Sequence, residues 1–285
     1  MKRHLAQLNI AALRHPIDDP RTADFTDALP AVNGAGERSP GYVWRLQSDG
    51  GDATDIQVFD DPLLIVNLTV WESLDALKAF AYRGIHRDFL RRRAEWFVEG
   101  STRTALWWMP AGSLPTTDDA KRRLDFVDVF GTSPYAFEMG QNHPALVIAP
   151  VDRDDERAAR VIAEFGDDPD QCLVDGHGFV VAEMDDVAVA CGAYRKVDTT
   201  TAEIMRMYVA RSARRMRIGA AMASELESLA ATAGAHRLLL ETGDQMRPLY
   251  EKFGFRAHAR RNHRVHSPGS VRMEKALTPE VGRLA

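Results

Sequence analysis

Cysteine is almost absent: Cys172 and Cys191 are the two thiols in 285 residues. They stand in no metal-ligand spacing, and a single bridge cannot staple a chain of this size. That argues against a disulfide scaffold and for a reducing, cytoplasmic setting. Long apolar runs are also missing. No stretch reaches the roughly 18 residues that a membrane span needs. The opening MKRHLAQLNIAALRHP is interrupted by His4, Gln7 and Asn9, with no small-residue cleavage site after it, so it reads as a first strand. A basic excess is missing too. Formal net charge is −5, with 16 Lys+Arg against 20 Asp+Glu up to Asn142 and 20 against 21 after it, and neither part looks built to hold a nucleic-acid backbone. No Cys/His cluster and no Rossmann glycine pattern occurs, so no metal, flavin or nicotinamide site is expected.

What is present is an ordinary soluble composition, 45% hydrophobic and 27% charged. The length implies two units at about 100–200 residues each. The turn-rich GTSP and GQNHP place the boundary near Gln141–His143, giving units of 1–141 and 142–285. In the first unit, HLAQLNIAAL (4–13) alternates as a strand, and a helical pattern follows Asp19-Pro20 to about Ala31. NGAGERSPG (33–41) reads as a loop, and YVWRLQSD and LLIVNLTVWES (63–73) as strands. Helices are predicted at 73–82 and 86–98, RTALWWMPAG (103–112) is a fourth strand, and TDDAKRRLDFVDVF is a further helix.

Strand, helix, strand, strand, helices, strand is the ferredoxin-like α+β order, in which helices cover one face of an antiparallel sheet. The other face then needs a cover, which a second subunit would supply, and a homodimer is the expectation. Trp44, Arg45, Trp71, His86, Arg93, Trp96, Trp107 and Trp108 are candidates to line a pocket between sheet and helices, a mix suited to an aromatic or acidic ligand. The alternative is that the tryptophans are core or dimer contacts, that His86 only starts a helix, and that Arg91-Arg92-Arg93 is a solvated face.

In the second unit ALVIAPV reads as a strand, 152–165 as a helix, and GFVVAEMDDVAVACGAYRKV as two strands joined at Asp185–Asp186. TAEIMRMYV (201–209) is a strand, Ile218–Gly234 a long helix, RLLLETG (237–243) a strand, then a short helix to about Phe253 and terminal strands through SVRMEKAL. The succession from strand to Arg/Gly loop to helix start is an anion site in outline. Exposed N–H groups and the helix dipole at Ile218–Ala221, with Arg214, Arg215 and Arg217, suit a pyrophosphate. A solvated basic turn explains the spacing equally well.

Here the sequence resembles the GCN5-related N-acetyltransferase (GNAT) family. The resemblance runs through VAVACGAYR, EIMRMYV, the loop with Arg214 and Gly219, the helix after it, LLLETG and LYEKFGF (249–255). It implies a GNAT-like acyl-CoA N-acyltransferase fold, with acetyl-CoA as cosubstrate and a small amine as acceptor. Met207, Tyr208 and Val209 would offer backbone groups to the pantetheine, and Arg214, Arg215, Met216, Arg217, Ile218, Gly219, Ala220 and Ala221 would cradle the phosphates. Arg217 stands where the family usually has its first glycine. Tyr250 matches the tyrosine often assigned as general acid, against a packing role beside Phe253, and Glu203 is the base candidate, against a salt-bridged structural role. DQMRP, before Tyr250, is shorter than the family commonly has and lacks its frequent asparagine. Asp244 and Gln245 either substitute for it or cap the short helix. Asp167, Asp168 and Asp170 are candidates for attracting an amine, or merely solubilise a loop.

NGAGERSPGYVWRL, LLIVNLTVWES, YRGIHRDFLRRRAEWF and ALWWMPAG together resemble a family of domains of unknown function with the dimeric α+β-barrel fold, related to antibiotic-biosynthesis monooxygenases, over about residues 3–140. Three functions follow as expectations: an N-acetyltransferase with an N-terminal dimerising or ligand-binding domain, a monooxygenase- or isomerase-like enzyme centred on the first half, or a non-catalytic acyl-CoA- or ligand-binding protein.

Overall fold

A computed structural model describes residues 2–164, 178–258 and 269–277. The chain forms two compact units, Met1–Ala145 and Leu146–Ala285. Cys172 and the aspartates Asp167, Asp168 and Asp170 lie outside the described residues.

The first unit is built on an antiparallel sheet of β1 (Arg3–Ala12), β2 (Tyr42–Arg45), β3 (Leu64–Trp71) and β4 (Arg103–Pro110) in the order β2-β3-β1-β4. Helices α1 (Ala23–Glu37), α2 (Leu74–Ala81) and α3 (Gly84–Arg92) pair with one face. Period-two alternation sends Ala6, Leu8, Ile10, Val66, Leu68 and Val70 to the other face, where all are buried. The expectation that a second subunit closes this face is corrected. Ala120 and Leu124 of α4 (Thr117–Phe130) and Val58 and Phe59 of the loop between β2 and β3 pack there from the same chain. A capping box between Thr116 and Asp119 starts α4.

Three predicted boundaries move. α1 does not end at Ala31 but continues through Pro30, Gly34 and Gly36, because Val32 and Gly36 are buried and Gly36 backs onto the Phe80 ring, where an added Cβ would stand 3.4 Å away. Tertiary packing here outweighs the poor helix propensity of Pro and Gly. α3 stops at Arg92, and a 3-10 turn (Arg93–Glu95) leads out of it. Backbone bonds from Arg14 to the Trp96 carbonyl (2.8 Å) and from Val98 to the Ala12 carbonyl (2.9 Å) draw the chain onto the end of β1 instead. Trp96 still stacks on Phe89, with centroids 5.0 Å apart. The predicted strand YVWRLQSD shortens to Tyr42–Arg45.

The second unit, in its described residues, carries β5 (Leu146–Val151), β6 (Gly178–Met184), β7 (Val187–Lys196), β8 (Thr201–Val209), β9 (Arg237–Gly243), β10 (Arg256–Ala257) and β11 (Ser270–Ala276) in one sheet of order β10-β11-β9-β8-β7-β6-β5. All neighbours are antiparallel except β8 and β9. α5 (Glu156–Ala163) begins later than predicted because Asp155 caps it and accepts the Arg157 N–H at 2.8 Å. α5 packs against β7 on one face. α6 (Ile218–Thr232) lies on the other, its small residues Ala220, Ala221 and Ala223 allowing close approach. α7 (Arg247–Lys252) follows a 3-10 turn at Asp244–Met246.

Leu124→Ala tests the closed face. Leu124 is 1% exposed, so the first unit is expected to lose about 2–5 kcal/mol in urea denaturation, with a midpoint independent of protein concentration. A concentration-dependent midpoint would mean that a second subunit provides the cover.

Candidate functional site

The centre of the second unit is set by an irregularity in β8. Cys191 faces Tyr208 and Ala193 faces Met205, so Gly192 of β7 opposes two residues, Arg206 and Met207. Arg206 has φ +56°, the left-handed region that side chains disfavour. Gly192 suits the close packing here: a Cβ would stand 3.1 Å from Leu226 Cδ1 and 3.3 Å from Met207 Cγ, so those side chains would have to give. β8 and β9 pair in parallel from Thr201–Arg237 to Ile204–Leu240 and then part. Past that point Met205–Val209 and Glu241–Gly243 have no ladder between them, which leaves a wedge lined by backbone groups in need of partners.

At the open end of the wedge β8 runs into a 3-10 turn, Arg211–Ala213, and then α6. Arg214, Arg215 and Arg217 are exposed around the helix start, while Ile218, Ala220 and Ala221 bury their side chains and can offer only backbone. Arg217 is the N-cap with φ +63°, and its side chain makes no capping bond; Arg215 also has positive φ. First-turn amides of α6 are thus directed outward with the positive end of the helix dipole. A Cβ on Gly219 would meet only Val209 Cγ2, at 3.8 Å. The protein itself does not require glycine there, which fits a position kept bare for a ligand.

Tyr250 is buried on α7 with its ring edge-on to Phe255, centroids 5.9 Å apart. Burial pushes its hydroxyl up to about 12, partly opposed by a hydrogen bond with the Thr242 side chain. Glu203 is buried on β8, and both of its oxygens are engaged. Arg195 donates to Oε2 through Nε (2.9 Å) and Nη2 (2.7 Å), and Arg272 Nη2 lies 3.5 Å from Oε1. Glu203 pairs with Leu239, and Thr242 lies three residues further along β9, so Glu203 and the Tyr250–Thr242 pair belong to opposite faces of the sheet. Lys275 marks the Thr242 face as that of α6 by reaching Glu227 at 2.5 Å. Asp244 does not cap α7, whose N-cap is Met246.

Met207, Tyr208 and Val209 thus end β8 beside the wedge and lead through the 3-10 turn into residues 214–221, while Tyr250 and Glu203 belong to opposite faces of the sheet. Sequence reasoning missed Thr242, Arg195, Arg272 and the Gly192–Arg206 bulge. The glycine inside VAVACGAYR was the available signal for the last. No group of acidic, His or Cys side chains suited to a metal occurs among the described residues, and no described helix is long and apolar enough to cross a membrane.

The first unit holds a separate cavity of 190 Å³ between its sheet and α1 and α3. Of the predicted lining, Arg45, Trp71, His86 and Arg93 are present. Trp44 and Trp107 pack on the opposite sheet face, Trp96 joins Phe25 and Leu13, and Trp108 packs in the cluster around Leu106 and Phe137. His86 stacks on Phe80 at 4.6 Å with Nδ1 3.0 Å from the Ala81 carbonyl oxygen, and burial pushes its imidazole below the usual range against the opposing pull of that bond.

A family model described as a domain of unknown function (DUF3291) matches residues 4–151, and one described as the acetyltransferase (GNAT) family matches residues 143–255. No curated protein matches the chain. Among solved structures, Ard1 from Thermoplasma volcanium aligns at 22% identity over 47% of this chain and 98% of its own, with a TM-score of 0.39. A GNAT family acetyltransferase from Elizabethkingia anophelis with acetyl-CoA bound aligns at 18% identity over 46% and 98%, with a TM-score of 0.37. A Bacillus subtilis acetyltransferase in complex with CoA aligns at 19% identity over 47% and 99%, with a TM-score of 0.38.

Arg217→Gly tests the loop geometry. A left-handed non-glycine residue costs about 1–2 kcal/mol, part of which the unfolded chain's greater freedom offsets in glycine. A gain of about 0.5–1 kcal/mol in thermal unfolding is expected, and a loss would mean that Arg217 is not held at positive φ.

Proposed function

On the premise that the chain belongs to the DUF3291 family and carries a GNAT acetyltransferase domain in its second unit, we propose that this unit transfers the acetyl group of acetyl-CoA to the nitrogen of a small amine. The observation that carries the reading is the wedge between β8 and β9, opening onto an uncapped helix start ringed by arginines. We read the first unit as ferredoxin-like, supported by its antiparallel order β2-β3-β1-β4 with α1 between the first two strands.

The residues fit the cosubstrate in three ways. Amides of Ile218, Gly219 and Ala220 point out from α6 and suit pyrophosphate oxygens, with Arg214, Arg215 and Arg217 adding charge. Unladdered backbone at Met207–Val209 suits the amides of a pantetheine arm. Bare Gly219 lets a phosphate reach the helix start. When bound, acetyl-CoA supplies an activated acetyl group on sulfur.

Tyr250 is assigned to protonating the departing sulfur from its Oη. Because burial raises its hydroxyl to about 12, it keeps its proton through the working range and loses it only as pH rises toward that value. Glu203 is assigned to accepting the amine proton through a water, since Arg195 and Arg272 occupy the positions next to its oxygens.

Calorimetry with acetyl-CoA is the primary test: saturable binding is expected, and no heat at millimolar cosubstrate would remove the reading. In a thiol-release assay with an amine panel, Tyr250→Phe is expected to lower kcat about 100-fold with acetyl-CoA affinity unchanged. Wild-type activity should show no descending limb from Tyr250 near pH 10; a limb there that Tyr250→Phe abolishes would contradict the burial argument. Glu203→Gln is expected to lower kcat/KM about 100-fold with acetyl-CoA affinity unchanged. A change of a few fold together with a lower melting temperature would make Glu203 a structural tie between β7, β8 and β11.

A further inference from the structure

The two faces of the first unit's sheet obey different rules. On the α4 side Leu8, Ile10, Val66 and Leu68 are buried and apolar. On the α1 side, at the interleaved positions, the two central strands carry Gln7 opposite Thr69 and Asn9 opposite Asn67. Gln7 and Thr69 have a structural account. The Thr69 hydroxyl donates to Gln7 Oε1 at 2.8 Å and accepts from Trp71 Nε1 at 2.9 Å, so a buried polar chain is satisfied.

Asn9 and Asn67 have no such account. Asparagine is a poor strand former; Asn9 is half-buried and Asn67 exposed, and neither carboxamide bonds to the described sheet or helices around it, so both are open to a ligand. Both line the 190 Å³ cavity. Arg45 lines it as well and pairs with Thr69 across β2 and β3, two residues from Asn67, or about 7 Å along the strand. Its Nε donates to Glu37 Oε1 at 2.8 Å, its side chain is 12% exposed, and its two terminal amino groups have no partner among the described residues. The remaining walls include Phe25, Phe80, Phe89, Phe97 and Trp71.

We propose that this cavity binds a flat aromatic carboxylate. The ring lies among the aromatic walls, the carboxylate takes the terminal fork of Arg45, and a hydrogen-bonding substituent at the far end of the ring meets Asn9 and Asn67. The planar guanidinium edge matches a carboxylate in two parallel bonds. A carboxamide pair both gives and accepts hydrogen bonds, as a hydroxyl or amino substituent requires. A largely apolar pocket with a few convergent polar groups is how small-molecule sites are built. This site is separate from the β8–β9 wedge and does not rest on acetyl transfer.

The test is calorimetry on the full chain, without acetyl-CoA, using 4-hydroxybenzoate, benzoate and the neutral 4-hydroxybenzamide. 4-Hydroxybenzoate is expected to bind, with benzoate and 4-hydroxybenzamide each at least about tenfold weaker, the size of one lost charge-assisted or buried hydrogen bond. Arg45→Gln is expected to abolish the preference for the acid over the amide. Asn67→Val is expected to weaken 4-hydroxybenzoate at least about tenfold while leaving the melting temperature of the free protein unchanged or higher, because Asn67 makes no bond that folding uses. Failure of 4-hydroxybenzoate to bind at millimolar concentration would overturn the proposal. So would equal binding of acid and amide, or a lowered melting temperature in Asn67→Val with binding intact.

Discussion

The second unit depends on one local constraint, the bulge that sets Gly192 against Arg206 and Met207. A regular β8 would run alongside β9 to its end and satisfy its own backbone, leaving no edge for a ligand. Inserting one residue, with Arg206 at positive φ, turns the strand out of register with its parallel neighbour after Ile204. The wedge, the exposed start of α6 and the approach of Tyr250 past Thr242 all follow from that departure. Gly192 eases it, since any side chain there would press on Leu226 and Met207. The positive-φ residues Arg206, Arg215 and Arg217 gather on this one edge with their side chains exposed.

The first unit shows the same separation between what folding needs and what a site needs, arranged across a sheet instead of along a strand. Its α4 face is an uninterrupted apolar surface covered within the chain. Its α1 face mixes aromatic packing with polar residues that folding does not explain. The second face keeps its own buried clusters around Trp71 and Phe25 and carries Asn9, Asn67 and Arg45 around a cavity between them.

Much of this was legible in the sequence. β8, β9 and α4 were readable to their ends because strict periodicity and strong caps agree with the tertiary structure, as in TAEIMRMYV, RLLLETG and TDDAKRRLDFVDVF. α1 was misread because Pro30, Gly34 and Gly36 carry a breaker signal that burial against Phe80 overrides. The spacing of Trp96 and Phe97 fits a helix, whereas pairing with the end of β1 claims the backbone there. Arg217 could be seen to occupy a glycine position, but not that its φ is left-handed. Partners distant in sequence, such as Arg272 for Glu203 and Thr242 for Tyr250, have no local signature at all. Of the five tryptophans expected to line a pocket, Trp71 does so, because alternation sorts them between faces while the cover on each face decides which one holds a cavity.

We propose that the splayed edge of β8 and the first turn of α6 together form the acyl-CoA site. Titration of isotopically labelled protein with acetyl-CoA, followed through the backbone amide resonances, decides it. The amides of Met207, Val209, Gly219 and Ala220 are expected to shift together and saturate at one affinity. Saturable binding that leaves those four amides unmoved would contradict it.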